Sequence, residues 1–381
     1  MPMPGVARFT ISVPDEDVDD LRRRLRATRW PDRPTVGDWS QGVPLEYVQE
    51  LCRYWADDYD WPTRQARLNA VEQYTTDLNG VPIHVLHAPS PHPAALPLVL
   101  THGWPGSVAE FLDVLGPLTD PTAHGGDPRD AFTVVVPSLP GFGWSGKPTE
   151  PGWGLERVAD AWAVLMSRLG YERFGAQGGD LGSFVSANLA ARHPDRLVGI
   201  HLNMVVTPPP ADQTRFTERE ERARRAAEHF RTIDSAYNMQ QRTRPQTLAY
   251  GLADSPAAQC AWILEKFWSW SDCAGDPVSA LGADRILDHV ATYWLTDSAG
   301  SSARMYWEMA QRPASRTPTV TVPTGVSLFP HEIMQPTEEW ARAQYRDLRM
   351  WHEHDRGGHF AAMEQPEALV RDIREFFRPL R

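Results

Sequence analysis

A chain of 381 residues exceeds the roughly 150 residues that one compact core needs, so two domains, or one domain enlarged by insertions, are expected. Apolar residues at 41% and charged residues at 23% lie near globular averages, which excludes a disordered tail, a collagen-like repeat and a coiled-coil rod. A net charge of −11 speaks against a phosphate-backbone binder, and no run approaches about 18 uninterrupted apolar residues, so neither nucleic acid nor a membrane is an expected partner.

The opening residues show no basic stretch leading into an apolar one, as a secretory leader would. From Pro14-Asp15-Glu16 onward, Val18, Leu21 and Leu25 recur at helical spacing, and Leu45 to Trp55 repeats the pattern. Cys52, Cys260 and Cys273 are an odd count at spacings that suit neither a disulfide framework nor a zinc ribbon. A cytoplasmic protein without an anchor is expected. Thr75 to Ala88 then predicts a hairpin around Asn79-Gly80, a pair that readily takes the positive φ angles of a tight turn.

From Leu96 the pattern becomes α/β. Apolar runs at Leu96 to Leu100, Phe132 to Val136, Phe174 to Gln177 and Leu197 to Leu202 predict buried parallel strands. Leu155 to Leu169 and Gly182 to Arg192 predict the helices between them. Pro208, Pro209 and Pro210 open a long helix-like segment rich in Arg, Glu and Trp, expected to be an inserted cap. Within it, Arg215 to Arg231 mixes both charges and is expected to be a solvated helix face. Strands are expected again at Val320 to Val322, Ser327 to Phe329 and Leu348 to His352, followed by an amphipathic helix from Glu367 to Phe377.

The most informative stretch is Gly178-Gly179-Asp180-Leu181-Gly182, between a predicted strand and a predicted helix. Small residues two places either side of a reactive side chain are what a sharp strand-to-helix turn requires. Asp180 holds the nucleophile's place, and a carboxylate there suits displacement at saturated carbon with formation of an ester. His102-Gly103-Trp104-Pro105-Gly106-Ser107 follows an earlier strand, where one N–H of an oxyanion hole arises. Trp104 and Leu181 are the candidate amide donors. Gly357-Gly358-His359-Phe360 follows the last strand, so His359 is the expected base. Of the acids between cap and histidine, Glu332 fits best, ahead of Asp347 and Asp355; nucleophile, acid and base then run in α/β-hydrolase order.

Two decoys are set aside. His352, His354 and His359 could suggest a metal site, but the first two alternate along a strand and no helical His-Glu-x-x-His pattern occurs. Gly141-Phe142-Gly143-Trp144-Ser145-Gly146 has dinucleotide-loop spacing, yet Pro140 and Pro148 flank it and no helix opens there. Neither a metal nor a cofactor is expected.

Taken together, these segments resemble the epoxide hydrolases of the α/β-hydrolase fold, specifically the microsomal-type branch with an N-terminal extension. The resemblance spans nearly the whole chain. It rests on Trp30-Pro31, Trp61-Pro62, the His102 to Ser107 and Pro137 to Gly143 segments, the Asp180 turn, Ile263-Leu264-Glu265-Lys266-Phe267 and Gly357 to Pro366. It implies an extension over 1–90, an α/β-hydrolase core with a mostly parallel sheet over 91–206 and 319–381, and a helical cap over 207–318. It implies Asp180 as nucleophile, His359 as base and Glu332 as its acid partner. Two cap tyrosines that meet the epoxide oxygen are implied at Tyr237 and Tyr306, with Tyr250, Tyr293 and Tyr345 as alternatives.

Two departures stand out: relatives often carry Trp after the nucleophile where this chain has Leu181, and the membrane anchor of the mammalian enzymes has no counterpart. A soluble bacterial-type member accounts for both. The expected reaction takes an epoxide and water to a vicinal diol without cofactor. Related enzymes are commonly dimers, so a homodimer is the assembly the resemblance allows. Trp262, Trp268, Trp270 and Trp307 suggest aromatic walls for an aryl or natural-product epoxide. A haloalkane dehalogenase and a non-catalytic ligand carrier are the alternatives, and Leu181 lacks the side-chain donor that the first would use for halide.

Overall fold

The computed structural model describes residues 5–311 and 318–381. The first four positions of the expected extension and residues 312–317 of the expected cap lie outside the described residues.

Among the described residues the core is one nine-stranded sheet, in the order β1-β2-β3-β5-β4-β6-β7-β8-β9. Its strands are β1 (Val6–Phe9), β2 (Glu72–Leu78), β3 (Val81–Ala88), β4 (Leu96–Thr101), β5 (Phe132–Pro137), β6 (Phe174–Gly178), β7 (Leu197–Leu202), β8 (Thr324–Leu328) and β9 (Leu348–Glu353). β1, β2, β3 and β5 pair antiparallel, and every pairing from β5 through β4 to β9 is parallel. The apolar runs sit in the parallel part: Leu98, Val99, Leu100 and Val134, Val135, Val136 are all buried, as strands covered on both faces must be. The Asn79-Gly80 hairpin forms as expected, with Asn79 at φ 54° and Gly80 at φ 84°.

Helices α1 (Asp15–Arg26), α2 (Leu45–Asp57) and α3 (Trp61–Asn69) precede β2, and the last was not anticipated. In α1 the apolar stripe Val18, Leu21 and Leu25 is buried, while acids in the first turn and arginines in the last complement the helix dipole. α4 (Leu112–Thr119), α5 (Leu155–Arg168) and α6 (Asp180–Arg192) cover the sheet. Between β7 and β8 the described chain is helical: α7 (Glu218–His229), α8 (Ala236–Thr243), α9 (Pro245–Asp254), α10 (Pro256–Trp270), α11 (Pro277–Leu281), α12 (Ala283–Leu295) and α13 (Ala299–Gln311). α14 (Glu338–Arg342), α15 (Ala361–Glu364) and α16 (Pro366–Phe377) complete the chain. The charges of α7 pair along the helix, Arg222 with Glu218 and Arg224 with Glu221, which fits a solvated face.

One expected strand is corrected: Val320 to Val322 makes only a single bridge, Val320 with Tyr345, and the strand proper begins at Thr324. Pro318 and Pro323 flank those residues and cannot donate to a ladder.

The N-terminal helices grip the helical segment rather than the sheet alone. Tyr54 Oη and Tyr59 Oη donate to Asp284 and Asp288 of α12 at 2.8 and 2.9 Å, and Arg64 Nε donates to Asp288 at 2.7 Å. Trp39 stacks on Trp268 with ring centroids 4.9 Å apart, so Trp268 serves this seam and does not wall the catalytic region.

Candidate active site

The sharp turn after β6 is built as its glycines require. A Cβ on Gly178 would collide with the Gly182 carbonyl oxygen, and one on Gly182 with that of Thr101. Between them Asp180 adopts φ 46°, a left-handed conformation that a non-glycine residue takes at a cost of order 1–3 kcal/mol. That strain, held by the sheet and α6, projects the carboxylate from the N-terminus of α6, where the helix dipole favours negative charge.

Three loops converge on it. The Trp104 amide, at the end of β4, donates to Asp180 Oδ1 at 2.8 Å. His359 Nε2 lies 3.5 Å from Asp180 Oδ2, and its Nδ1 lies 2.7 Å from Glu332 Oε1. Glu332 is fixed in turn by the Ile333 amide at 2.8 Å. Burial alone would push the His359 imidazole down, but the charges of Glu332 and Asp180 outweigh it and hold it well above its ordinary value. Asp347 is instead paired with Arg349 at 2.7 Å and Asp355 is exposed, so of the three candidate acids only Glu332 meets the histidine.

Helices of the inserted segment bring Tyr237 (α8) and Tyr306 (α13) over the same place, their rings 5.8 Å apart and nearly perpendicular. Tyr237 stacks on Trp104 at 4.8 Å and Tyr306 meets its edge at 6.2 Å. Burial and the nearby Asp180 charge hold both phenols well above their ordinary pKa, so both are protonated at neutral pH. The Tyr306 hydroxyl is buried, with the Tyr237 hydroxyl as its polar neighbour. The alternatives lie elsewhere: Tyr250 is 71% exposed, Tyr293 Oη donates to the Gly106 carbonyl at 2.9 Å, and Tyr345 sits in the backbone bridge to Val320 ahead of β9. Leu181 follows Asp180, buried in the first turn of α6.

The decoy histidines turn away: His354 Nε2 and His352 Nδ1 lie 2.6 and 3.3 Å from Asp372 of α16. No cluster of His, Cys, Asp and Glu able to hold a metal ion occurs among the described residues.

Sequence reasoning missed several neighbours. The Trp104 side chain, valued only for its amide, is the floor on which Tyr237 lies. Trp270, expected only as an aromatic wall, also packs edge-on to His359 at 5.0 Å and accepts the His359 amide on its carbonyl at 2.9 Å. Glu110, in the turn after Ser107, has its carboxyl pushed up to about 8, by burial first, with the Asp180 charge adding and His359 opposing. Its only sequence signal was its place next to the Trp104 loop.

The arrangement can do nucleophilic chemistry. One carboxylate oxygen is held by an amide, the other is free to attack, a carboxylate-oriented imidazole waits behind it and two phenols face it.

Comparison with known proteins points the same way. Residues 6–111 match the family model described as epoxide hydrolase N terminus, and residues 97–251 that of the alpha/beta hydrolase fold. A candidate epoxide hydrolase of Stigmatella aurantiaca is 53% identical over 99% of this chain and 86% of its own. Epoxide hydrolase 1 of Oryctolagus cuniculus is 32% identical over 98% of this chain and 88% of its own. Among solved structures, the Aspergillus niger epoxide hydrolase superposes with a TM-score of 0.90 at 32% identity, covering 100% of this chain and 97% of that one.

Proposed function

Because the chain belongs to the epoxide hydrolase family, we propose that it opens its substrate in two steps through an ester on Asp180. The hydrolase activity itself follows from that membership, and with it the dehalogenase and carrier alternatives fall away. The observation that carries the mechanism is the division of labour on Asp180: Oδ1 bound to the Trp104 amide, Oδ2 beside His359.

In the first step Asp180 Oδ2 attacks an epoxide carbon while Tyr237 and Tyr306 give hydrogen bonds, or a proton, to the departing oxygen. A phenol held protonated is suited to meet an alkoxide. The two buried phenols, turned toward one another beside Asp180, support this role, since one epoxide oxygen can accept from both. In the second step His359, oriented by Glu332, takes a proton from water, which adds to the ester carbonyl. The oxyanion then sits where Oδ1 now sits, on the Trp104 amide and, in this reading, the Leu181 amide, until it collapses with breakage of the bond from the Asp180 carbonyl carbon to Oδ2 and the leaving diol oxygen takes the proton held by His359.

The substrate class we favour is an aryl epoxide, supported by the aromatic surfaces of Trp104, Trp270 and Tyr237 beside Asp180. We also read 1–90, 207–318 and the two core segments 91–206 and 319–381 as extension, cap and core. A cytoplasmic location is part of the reading, supported by three buried, unpaired cysteines. Among the described residues no helix is long and apolar enough to cross a membrane.

Replacing His359 with Gln tests the two-step route. The variant is expected to stop at the ester and gain the mass of one substrate on the peptide carrying Asp180; full turnover would remove the proposed base.

A further inference from the structure

Lys266 of α10 is 2% exposed, far from the solvent that an ammonium ordinarily keeps. Its Nζ lies 3.0 Å from Asp234 Oδ1 and 2.8 Å from Glu265 Oε1, and it donates to the Asp234 carbonyl at 3.3 Å. The second Asp234 oxygen accepts the Trp270 indole N–H. Asp234 is delivered by a π-helical turn, Phe230–Asp234, just ahead of the helix that carries Tyr237; such turns put an extra residue into a helix and often mark functional sites. A buried ion pair is an expensive route to stability, because desolvation takes back most of its attraction. Its position suggests an electrostatic use instead.

Lys266 Nζ stands 4.9 Å from the centre of the Tyr237 ring and 5.5 Å from that of Trp270. Ring opening consumes a negative charge on Asp180 and places one on the epoxide oxygen or, once the phenol has given up its proton, on Tyr237. Charge therefore moves toward the face that Lys266 covers. The titratable groups acting on Tyr237 from other elements are Asp180 of α6, Asp234 of the π turn and Tyr306 of α13, none of them cationic, and both carboxylates oppose negative charge on the phenol, while Asn238 of α8 hydrogen-bonds it.

We propose that Lys266 is a positioning residue for ring opening, its ammonium offsetting the negative charge that grows on Tyr237 as the phenol hands its proton to the epoxide oxygen. The proposal rests on Tyr237 acting as a proton donor. In that step the Asp180 Oδ2–carbon bond forms, the carbon–oxygen bond of the epoxide breaks and the phenol proton ends on the new hydroxyl. In ester hydrolysis the leaving diol oxygen takes the proton held by His359, and the second proton of the water, left on the Asp180 carboxyl, returns to the phenolate through solvent, so the cycle closes without a co-reactant.

The test resolves the two steps with styrene oxide in rapid-mixing experiments, following ester formation and ester decay separately. Lys266→Gln removes the ammonium alone and is the primary variant; the neutral pair Lys266→Met with Asp234→Asn keeps the buried Asp234 carboxylate from standing unpaired, Glu265 being partly exposed. Ester formation is expected to slow by about tenfold to a hundredfold, the scale of a charge interaction at this distance in a protein interior. Ester decay should hold, and Lys266→Arg should recover most of the first step. Adding Tyr237→Phe to the neutral pair should cost little more, because both changes remove one interaction. Equal slowing of both steps, or a Tyr237→Phe loss that simply adds, would overturn the proposal while leaving the donor role intact. A Tyr237→Phe single variant that opens the epoxide at full speed would instead sink the donor role itself.

Discussion

The backbone N–H of Trp104 donates to Asp180 Oδ1 at 2.8 Å before any substrate has bound. One donor therefore serves two states: it holds the carboxylate so that Oδ2 points at the substrate, and it remains in place for the oxyanion formed on the same oxygen during hydrolysis. Donors already oriented need no reorganisation as charge develops, which is where most electrostatic catalysis arises.

The two tyrosines invite a separation of activity from stability. The polar neighbour of Tyr306 Oη is the Tyr237 hydroxyl, the other proposed donor, so Tyr306→Phe should leave the melting temperature nearly unchanged while slowing ester formation by at least about tenfold. Thermal unfolding and rapid-mixing kinetics on the same sample decide it. A variant that melts lower yet forms ester at the original rate would show the hydroxyl to be structural.

Protonation of His359 should change between the two steps. In the free enzyme burial works against its charge, but Glu332 and Asp180 together hold the imidazole well above its usual value. Forming the ester erases the Asp180 charge, so one of the two supports is lost and the titration moves down, toward a neutral base. Ester decay is accordingly expected to rise with pH, with a midpoint below that of His359 in the free enzyme as followed by NMR. Coincident midpoints would mean that Asp180 is not the esterified group.

Much of this was legible in the sequence, and the boundary between what was and was not is physical. The Asp180 turn announces itself because Gly178 and Gly182 are steric necessities, and steric necessity is local. Glu332 and His359 could be placed by chain order against the strands. Trp268 could not: nothing near it in sequence shows that Trp39, more than two hundred residues away, would take its face. Lys266 stands in a motif that carries the resemblance, but its pairing with Asp234 was invisible for the same reason, since a buried ion pair is a property of packing. The short β1 and α3 carry too few periodic residues to stand out, with β1 pairing only along its neighbour β2.

Glu110 gives a prediction about stability. Its folded carboxyl is pushed from 4.5 up to about 8, whereas the unfolded chain ionises near the ordinary value. The contribution is fully present below about pH 4, falls as pH rises through the interval and levels off above about 8. Relative to wild type, Glu110→Gln should thus gain stability on going from pH 5 to pH 9, on the order of a few kcal/mol. Denaturant unfolding at the two pH values measures it; a difference independent of pH would mean that Glu110 is ionised in the folded protein throughout.

The most direct test of the ester route is a single turnover, with enzyme in excess over styrene oxide, in water enriched in oxygen-18. If Asp180 is the nucleophile, the first diol carries no label and the heavy oxygen appears in the Asp180 carboxylate, located by mass analysis of its peptide. Labelled diol with an unlabelled Asp180 would show that water attacks the epoxide directly, and the account given for Asp180, Trp104 and His359 would be wrong.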